Sequence, residues 1–288
     1  MTAMLHDLVG SVAGEILAAM PGNGVHAPDA DALATRLSAA GLLDREDLVS
    51  LLLRRADEHR IATAFAGRAG TRKLPLLPRL VGDRDASVAA SAMALVVARG
   101  RRRDAFGQPR IELNDLGAGE AAGLALSVAA ALAEHGNWLE LSSAAGAVAA
   151  GHTPPDSLDC VVIALADALR AAGRVDDSMV EAAAQDGEAS LLAALLARRA
   201  EISFETAWGY LVSGQDHGLA LLGRMTGLSR PTAARLIAEF GALAGASVEE
   251  EIAGFDSFGD DEVKAALDWW RLPPDFRAAS AALGQAHG

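Results

Sequence analysis

LPLLPRLVGDRDASVAASAMALVVARG, residues 74–100, is the stretch on which the fold turns. Leu76, Leu77 and Leu80 recur at helical spacing, the run breaks at Gly82, Asp83, Arg84 and Asp85, and Val88 and Ala92 resume it. Apolar residues three and four apart share one face of a helix, whereas small and acidic residues end one helix and cap the next. The stretch predicts two helices joined by an acidic turn, each with a face to bury.

A second copy is found by sliding the sequence on itself. A gapless offset of 131 aligns Arg68, Ala69, Leu80, Val81, Asp85 and Ala89 with Arg199, Ala200, Leu211, Val212, Asp216 and Ala220. The hairpin resembles a HEAT unit, in which two apolar helices bury their faces against neighbouring hairpins. The predicted fold class is all-α, as layered helical hairpins resembling a HEAT-like repeat stack.

Helical periodicity extends outward from there. An amphipathic first helix leads to a loop around Pro21, Gly22 and Gly24, and a short helix opens at Pro28 and closes at Gly41. Asp44 is positioned to cap a long helix carrying Leu48, Leu51, Leu52, Ile61 and Phe65. Residues 100–115, with Arg101, Arg102, Arg103, Phe106, Gly107 and Pro109, read as an irregular connector. Asn114 or Asp115 then caps a helix running toward Ala133, and further helices fall near 138–150, 156–172, 176–186, 189–200, 204–213, 217–226, 230–244, 260–270 and 274–284. A break at 151–155 divides the chain into halves, 1–150 and 151–288, or marks a bend within one continuous domain.

At 288 residues, 51% hydrophobic and 22% charged, the chain is long enough to bury a large core. Aromatic residues make up only 4%, while Ala and Leu, both strong helix formers, recur throughout. The net charge of −13 and pI near 4.9 oppose a nucleic-acid partner, because phosphate binding is driven by cationic side chains. A single cysteine, Cys160, and an N-terminus with Asp7 and Glu15 but no basic flank point to a reducing, cytoplasmic compartment. The longest uncharged apolar stretch, between Glu120 and Glu134, falls short of the roughly 20 residues a membrane span needs.

Familiar catalytic patterns lack their context. Gly22, Gly24 and Ala27, and again Gly117, Gly119 and Ala122, match the glycines of a dinucleotide fingerprint, but no strand precedes either. The two lysines, Lys73 and Lys264, follow no glycine-rich turn, the seven histidines show no metal-pair spacing, and no serine sits between glycines at elbow spacing. No catalytic residue, cofactor or metal is expected, and the chain reads as a non-enzyme.

Binding candidates are therefore surface features. Arg54, Arg55, Asp57, Glu58, His59 and Arg60 crowd one helix, where Arg54 with Glu58 and Arg55 with His59 form either a partner-binding face or a solvated face with intrahelical pairs. Of the adjacent Trp269 and Trp270, one side chain must point away from the buried stripe and offers an anchor for a partner. Trp138 and Trp208 read as anchors between helical layers. Residues 218–240 resemble a helix-turn-helix in which Ser229 caps a second helix carrying Arg230 and Arg235, although Glu249, Glu250 and Glu251 oppose DNA nearby.

Four blocks carry a family resemblance: LLLRRADEHRI at 51–61, DAFGQPRIELNDL at 104–116, LLARRAEI at 195–202 and GLALLGRMTGL at 218–228. In order and spacing, from about residue 30 to 280, they resemble the bacterial family known as domain of unknown function 2336, found mainly in alphaproteobacteria. The resemblance implies a bacterial, cytoplasmic, helical protein and transfers no catalytic residue. The function expected is a non-enzymatic module that binds or regulates another protein; the alternative is a DNA-binding transcriptional regulator using Arg230 and Arg235.

Overall fold

The structure, a computed structural model, describes residues 1–20, 29–67, 74–133, 137–213 and 217–284. Among these residues are sixteen α-helices, three 3-10 turns and no strand, with one isolated antiparallel bridge between Arg103 and Pro109. The fold is all-α. In chain order the helices are α1 (Thr2–Ala19), α2 (Ala30–Ala39), α3 (Glu46–Ala66), α4 (Leu76–Val81), α5 (Ala86–Arg101), α6 (Ala118–Leu132), α7 (Trp138–Ala150) and α8 (Leu158–Ala171). They continue as α9 (Asp177–Gln185), α10 (Ala189–Ala200), α11 (Phe204–Val212), α12 (Gly218–Met225), α13 (Arg230–Ala244), α14 (Val248–Ser257), α15 (Asp260–Arg271) and α16 (Pro274–Ala282). The chain divides into two compact units, Met1–Arg60 with Ala94–Val161, and Ile61–Met93 with Val162–Gly288. The sequence break at 151–155 holds the 3-10 turn Pro154–Asp156, just before α8.

In the first unit α1 packs on α2, α6 and α7, and α6 packs on α7. Leu8, Val9, Val12 and Ile16 of α1 are fully buried, at the spacing that puts them on one helical stripe. Small buried residues of α6, Ala121, Ala125 and Ala129, allow its neighbours to approach closely. Two helix starts differ from expectation. Asp29, whose carboxylate accepts the Asp31 N–H, caps α2, and Pro28 lies outside the described residues, as do Pro21, Gly22, Gly24 and Ala27. Asp44 belongs to the 3-10 turn Leu42–Asp44, which the left-handed Gly41 opens, and α3 starts beyond it at Glu46.

In the second unit α10 is buried at every residue from 189 to 197, which its uncharged sequence permits on all sides. Phe65 and Phe240 meet with ring centroids 5.5 Å apart. The acidic turn acts as the sequence predicts, since Asp85 accepts the N–H groups of Ser87 and Val88 at the start of α5. The offset of 131 also matches the helices: Leu80 and Val81 close α4 as Leu211 and Val212 close α11, with both leucines buried. Arg68, Ala69 and Asp216 of that alignment, and Lys73, lie outside the described residues.

One connection recurs along this unit. The amide five residues on closes each helix by bonding back: Arg174 to Leu169, Glu188 to Ala183, Ile202 to Ala197, Leu228 to Gly223 and Ala246 to Gly241. This is the Schellman bond, which needs a left-handed residue just before the donor. Gly173, Gly187, Gly227 and Gly245 supply it without strain, but at the third connection the residue is Glu201, with φ of 56°. Glu201→Gly is therefore expected to stabilise the protein by about 1 kcal/mol, less whatever its exposed ion pair with Arg271 contributes. A thermal melt that falls or stays level would show that Glu201 carries no such strain.

Helix α14 is not among those the sequence predicts. Its first turn, Glu249, Glu250 and Glu251, looks like a solvated acidic run, yet Glu251 is 3% exposed and accepts the Ala220 N–H at 2.8 Å. His217, at the cap position of α12, makes no side-chain cap bond, so α14 supplies a carboxylate to that helix start. Burial pushes the Glu251 carboxyl up, against the opposing pull of the Ala220 amide and of His217.

Candidate functional site

Arg54 and Arg55 of α3 face inward, whereas Arg60 is exposed and pairs with Asp57. Arg55 is 2% exposed; its guanidinium donates to both oxygens of Glu58 at 2.8 and 2.9 Å and to Asp159 at 2.8 Å. Arg54 donates to the other oxygen of Asp159 at 2.6 Å. Asp115, its side chain wholly enclosed, lies 4.0 Å from Arg55 and accepts from Arg102 Nε, from the Leu158 N–H and from the Glu112 N–H. Burial opposes ionisation of Asp115, but the bond from Arg102 and the charges of Arg55 and Arg102 hold its carboxyl below the usual range. Burial likewise opposes the charge on Arg55, and Glu58, Asp159 and Asp115 outweigh it, holding the guanidinium more firmly protonated than usual.

Arg54, Arg55 and Arg102, the last two buried, thus meet Glu58, Asp159, Asp115 and Glu112 within the first unit. Such a cluster orders the chain around it, because each member left alone would be a buried charge. It fixes the connector 100–115, irregular by its sequence: Asp115 acts as this hub and not as the cap of α6, a position Gly117 takes. His59 is half-buried on the same helix.

A second arginine plays a comparable part in the other unit. Arg199 donates through Nε and Nη2 to the carbonyls of Thr226 and Gly227, at 2.9 and 3.0 Å, and through Nη1 to Asp177 at 2.7 Å. Asp177 also accepts the Ser229 N–H. Burial opposes its ionisation, yet the bonds from Ser229, Arg199 and Thr232 prevail and lower its pKa to about 2. A depressed carboxylate stabilises fully above its unfolded pKa and loses that contribution as pH falls through the folded value. The second unit is expected to lose stability between about pH 4 and about 2, and Asp177→Asn should flatten that limb of an acid titration followed by circular dichroism. An unchanged acid limb would remove Asp177 from the explanation.

The helix-turn-helix-like segment places Arg230 and Arg235 on α13, each against a carboxylate. Arg230 makes a two-bond pair with Asp256 at 2.8 and 2.7 Å, and Arg235 pairs with Glu181. A phosphate would have to compete with both. Trp208 is a buried anchor as read, whereas Trp138 is 63% exposed beside an 85% exposed Leu139. Trp269 and Trp270 are both half-buried.

Trp270 forms a wall of an open cleft in the second unit. One face of α11 carries Thr206, Tyr210 and Ser213, with Glu205 and Gly209 beside them, because Phe204, Ala207, Trp208 and Leu211 take the buried face. Across from it the Trp270 indole N–H donates to the Tyr210 hydroxyl at 2.8 Å, with the rings edge to face at 6.0 Å. Arg277 stacks 4.9 Å over the Trp270 ring and donates to the carbonyls of Trp270 and Leu272. Pro274 completes a cleft of about 630 Å³, in the size range of ligand and peptide sites. Among the described residues no cation pairs with Glu205 and no carboxylate pairs with Arg277.

The sequence singles out Trp270 but not its surroundings. The polar stripe of α11 at Ser203, Thr206, Tyr210 and Ser213 was a usable signal; that Trp270 meets it, sixty positions away, is a tertiary fact. Among the described residues no group of three or more His, Cys, Asp or Glu side chains could hold a metal ion, and no helix is long and apolar enough to cross a membrane.

The geometry also explains the four sequence blocks. Those at 51–61 and 104–116 meet at Arg55 and Asp115; those at 195–202 and 218–228 meet where Arg199 grips Thr226 and Gly227. Residues 34–254 match the bacterial family DUF2336, described as an uncharacterised protein conserved in bacteria. No curated protein and no solved structure matches the chain. Since the match spans most of its length, the chain belongs to the DUF2336 family.

Proposed function

We propose that this protein is a non-enzymatic interaction or regulatory module of the bacterial cytoplasm, a HEAT-like helical repeat that binds another protein through the Tyr210–Trp270 cleft. The observation that supports it is the construction of that cleft. Two aromatic side chains are held in place by each other and by Arg277, so the surface is ordered before a partner arrives. Tyr, Trp and Arg are the side chains that dominate protein-binding surfaces. Arg54 and Arg55 of α3, the other surface suggested by sequence, bond to Asp159 within their own unit, which favours the cleft over them.

Gly209 provides the test. A Cβ added there meets no atom within 4 Å, so Gly209→Leu fills the cleft while a helical glycine is replaced by a better helix former. Tagged full-length protein and the Gly209→Leu variant would be recovered from native cells and their partners compared by mass spectrometry. A partner held by the parent and lost from the variant, at unchanged or higher melting temperature, is the expected result. Identical recoveries from both would exclude the cleft.

A further inference from the structure

We infer that the Tyr210–Trp270 cleft binds a proline-rich segment bearing a basic residue. This ligand class presupposes that the cleft is a protein-contact site and adds the chemistry of the occupant. Three features converge on it. The walls are Tyr210, Trp270 and Pro274, flat and rigid surfaces against which a proline ring packs with little loss of freedom. The polar groups along α11 are mainly hydroxyls: Tyr210, whose oxygen already accepts the Trp270 N–H and retains its own proton to donate, together with Thr206 and Ser213. An extended proline-rich segment presents carbonyls and few N–H groups, so donors are what it needs.

The third feature is charge. Glu205 has no cationic partner among the described residues, while Arg277 is already engaged by the Trp270 ring and two carbonyls. With a net charge of −13, the chain attracts a basic segment at long range and repels an acidic one. Glu205 thus supplies the contact that distinguishes a basic proline-rich segment from a neutral one.

The full chain would be titrated into three labelled, end-capped heptapeptides, followed by fluorescence anisotropy: prolines and leucines with one arginine, the same peptide with glutamate for arginine, and the arginine peptide with alanines for prolines. The first is expected to bind at least about tenfold more tightly than the other two. Gly209→Leu should weaken it at least about tenfold, and Glu205→Gln should remove most of the preference for arginine over glutamate. No binding by the first peptide, equal binding of all three, or binding unaffected by Gly209→Leu would each overturn the ligand class. The ligand class falls alone if native partners still depend on Gly209 but hold no proline-rich basic segment; if no partner depends on Gly209, the interaction site falls with it.

Discussion

Asp115→Asn is expected to cost about 3–5 kcal/mol of stability, the range seen when one member of a buried ion cluster is removed. Asp115 faces Arg102 at 2.8 Å and Arg55 at 4.0 Å, and both guanidiniums are buried, so neither can turn to water for compensation. Replacing a buried ion pair by apolar side chains is often harmless, but not here, because Asp115 also accepts two backbone amides, from Leu158 and Glu112. Asparagine keeps one oxygen for them. Asp115→Leu keeps none and should cost a further 1–3 kcal/mol or so for the stranded N–H groups. A native stability of about 5–15 kcal/mol leaves little after such a loss, and the first unit should unfold separately in a denaturant titration. Losses below about 1 kcal/mol for both variants would mean the cluster is solvated.

Gly187→Ala carries the second large effect, in the other unit. Gly187 sits at φ of 68°, where a side chain costs about 1 kcal/mol or more. Its added Cβ would also lie 2.4 Å from Cγ of Phe65, a 4% exposed ring packed against Phe240. Phe65 has no solvent side to which it can move. Overpacking of this kind costs about 1–3 kcal/mol, so a total of about 2–4 kcal/mol is expected. Gly227→Ala is the control: its φ is 62°, but no atom lies within 4 Å of the added carbon, so it should show the backbone cost alone. Equal melting temperatures for the two variants would show that Phe65 yields.

The helices were legible because their apolar spacing survives in a sequence rich in Ala and Leu; α13, read as 230–244, has those bounds. The inward direction of Arg55 was legible too, though it needed a stricter reading. Leu48, Leu51, Leu52 and Arg55 occupy positions i, i+3, i+4 and i+7, so the arginine lies on the buried stripe and must find partners there. Glu251 is the same case on α14, in line with buried Gly254 and Phe255. A charge that falls on an apolar stripe is carried into the core and must find a partner there.

What the sequence could not supply was long-range placement. Asp115 reads as a helix cap, and nothing local reveals that Arg102 and Arg55 converge on it. The cleft depends on residues some sixty positions apart, and Trp270, Pro274 and Arg277 lie beyond residues 34–254, where the family match ends. The blocks that identify the family are those that clamp the helices, and the surface proposed for function is partly outside them.

The most direct test of that surface is a photoreactive amino acid at position 209 of the full chain, activated in native cells. The space around that position is open, so the probe would point into the cleft without disturbing α11. Covalent capture of a defined protein, with the crosslink mapped to a proline-rich basic segment, is the predicted outcome. Activation that yields only uncrosslinked protein, while the same probe in an exposed turn behaves identically, would contradict the role of the cleft in binding.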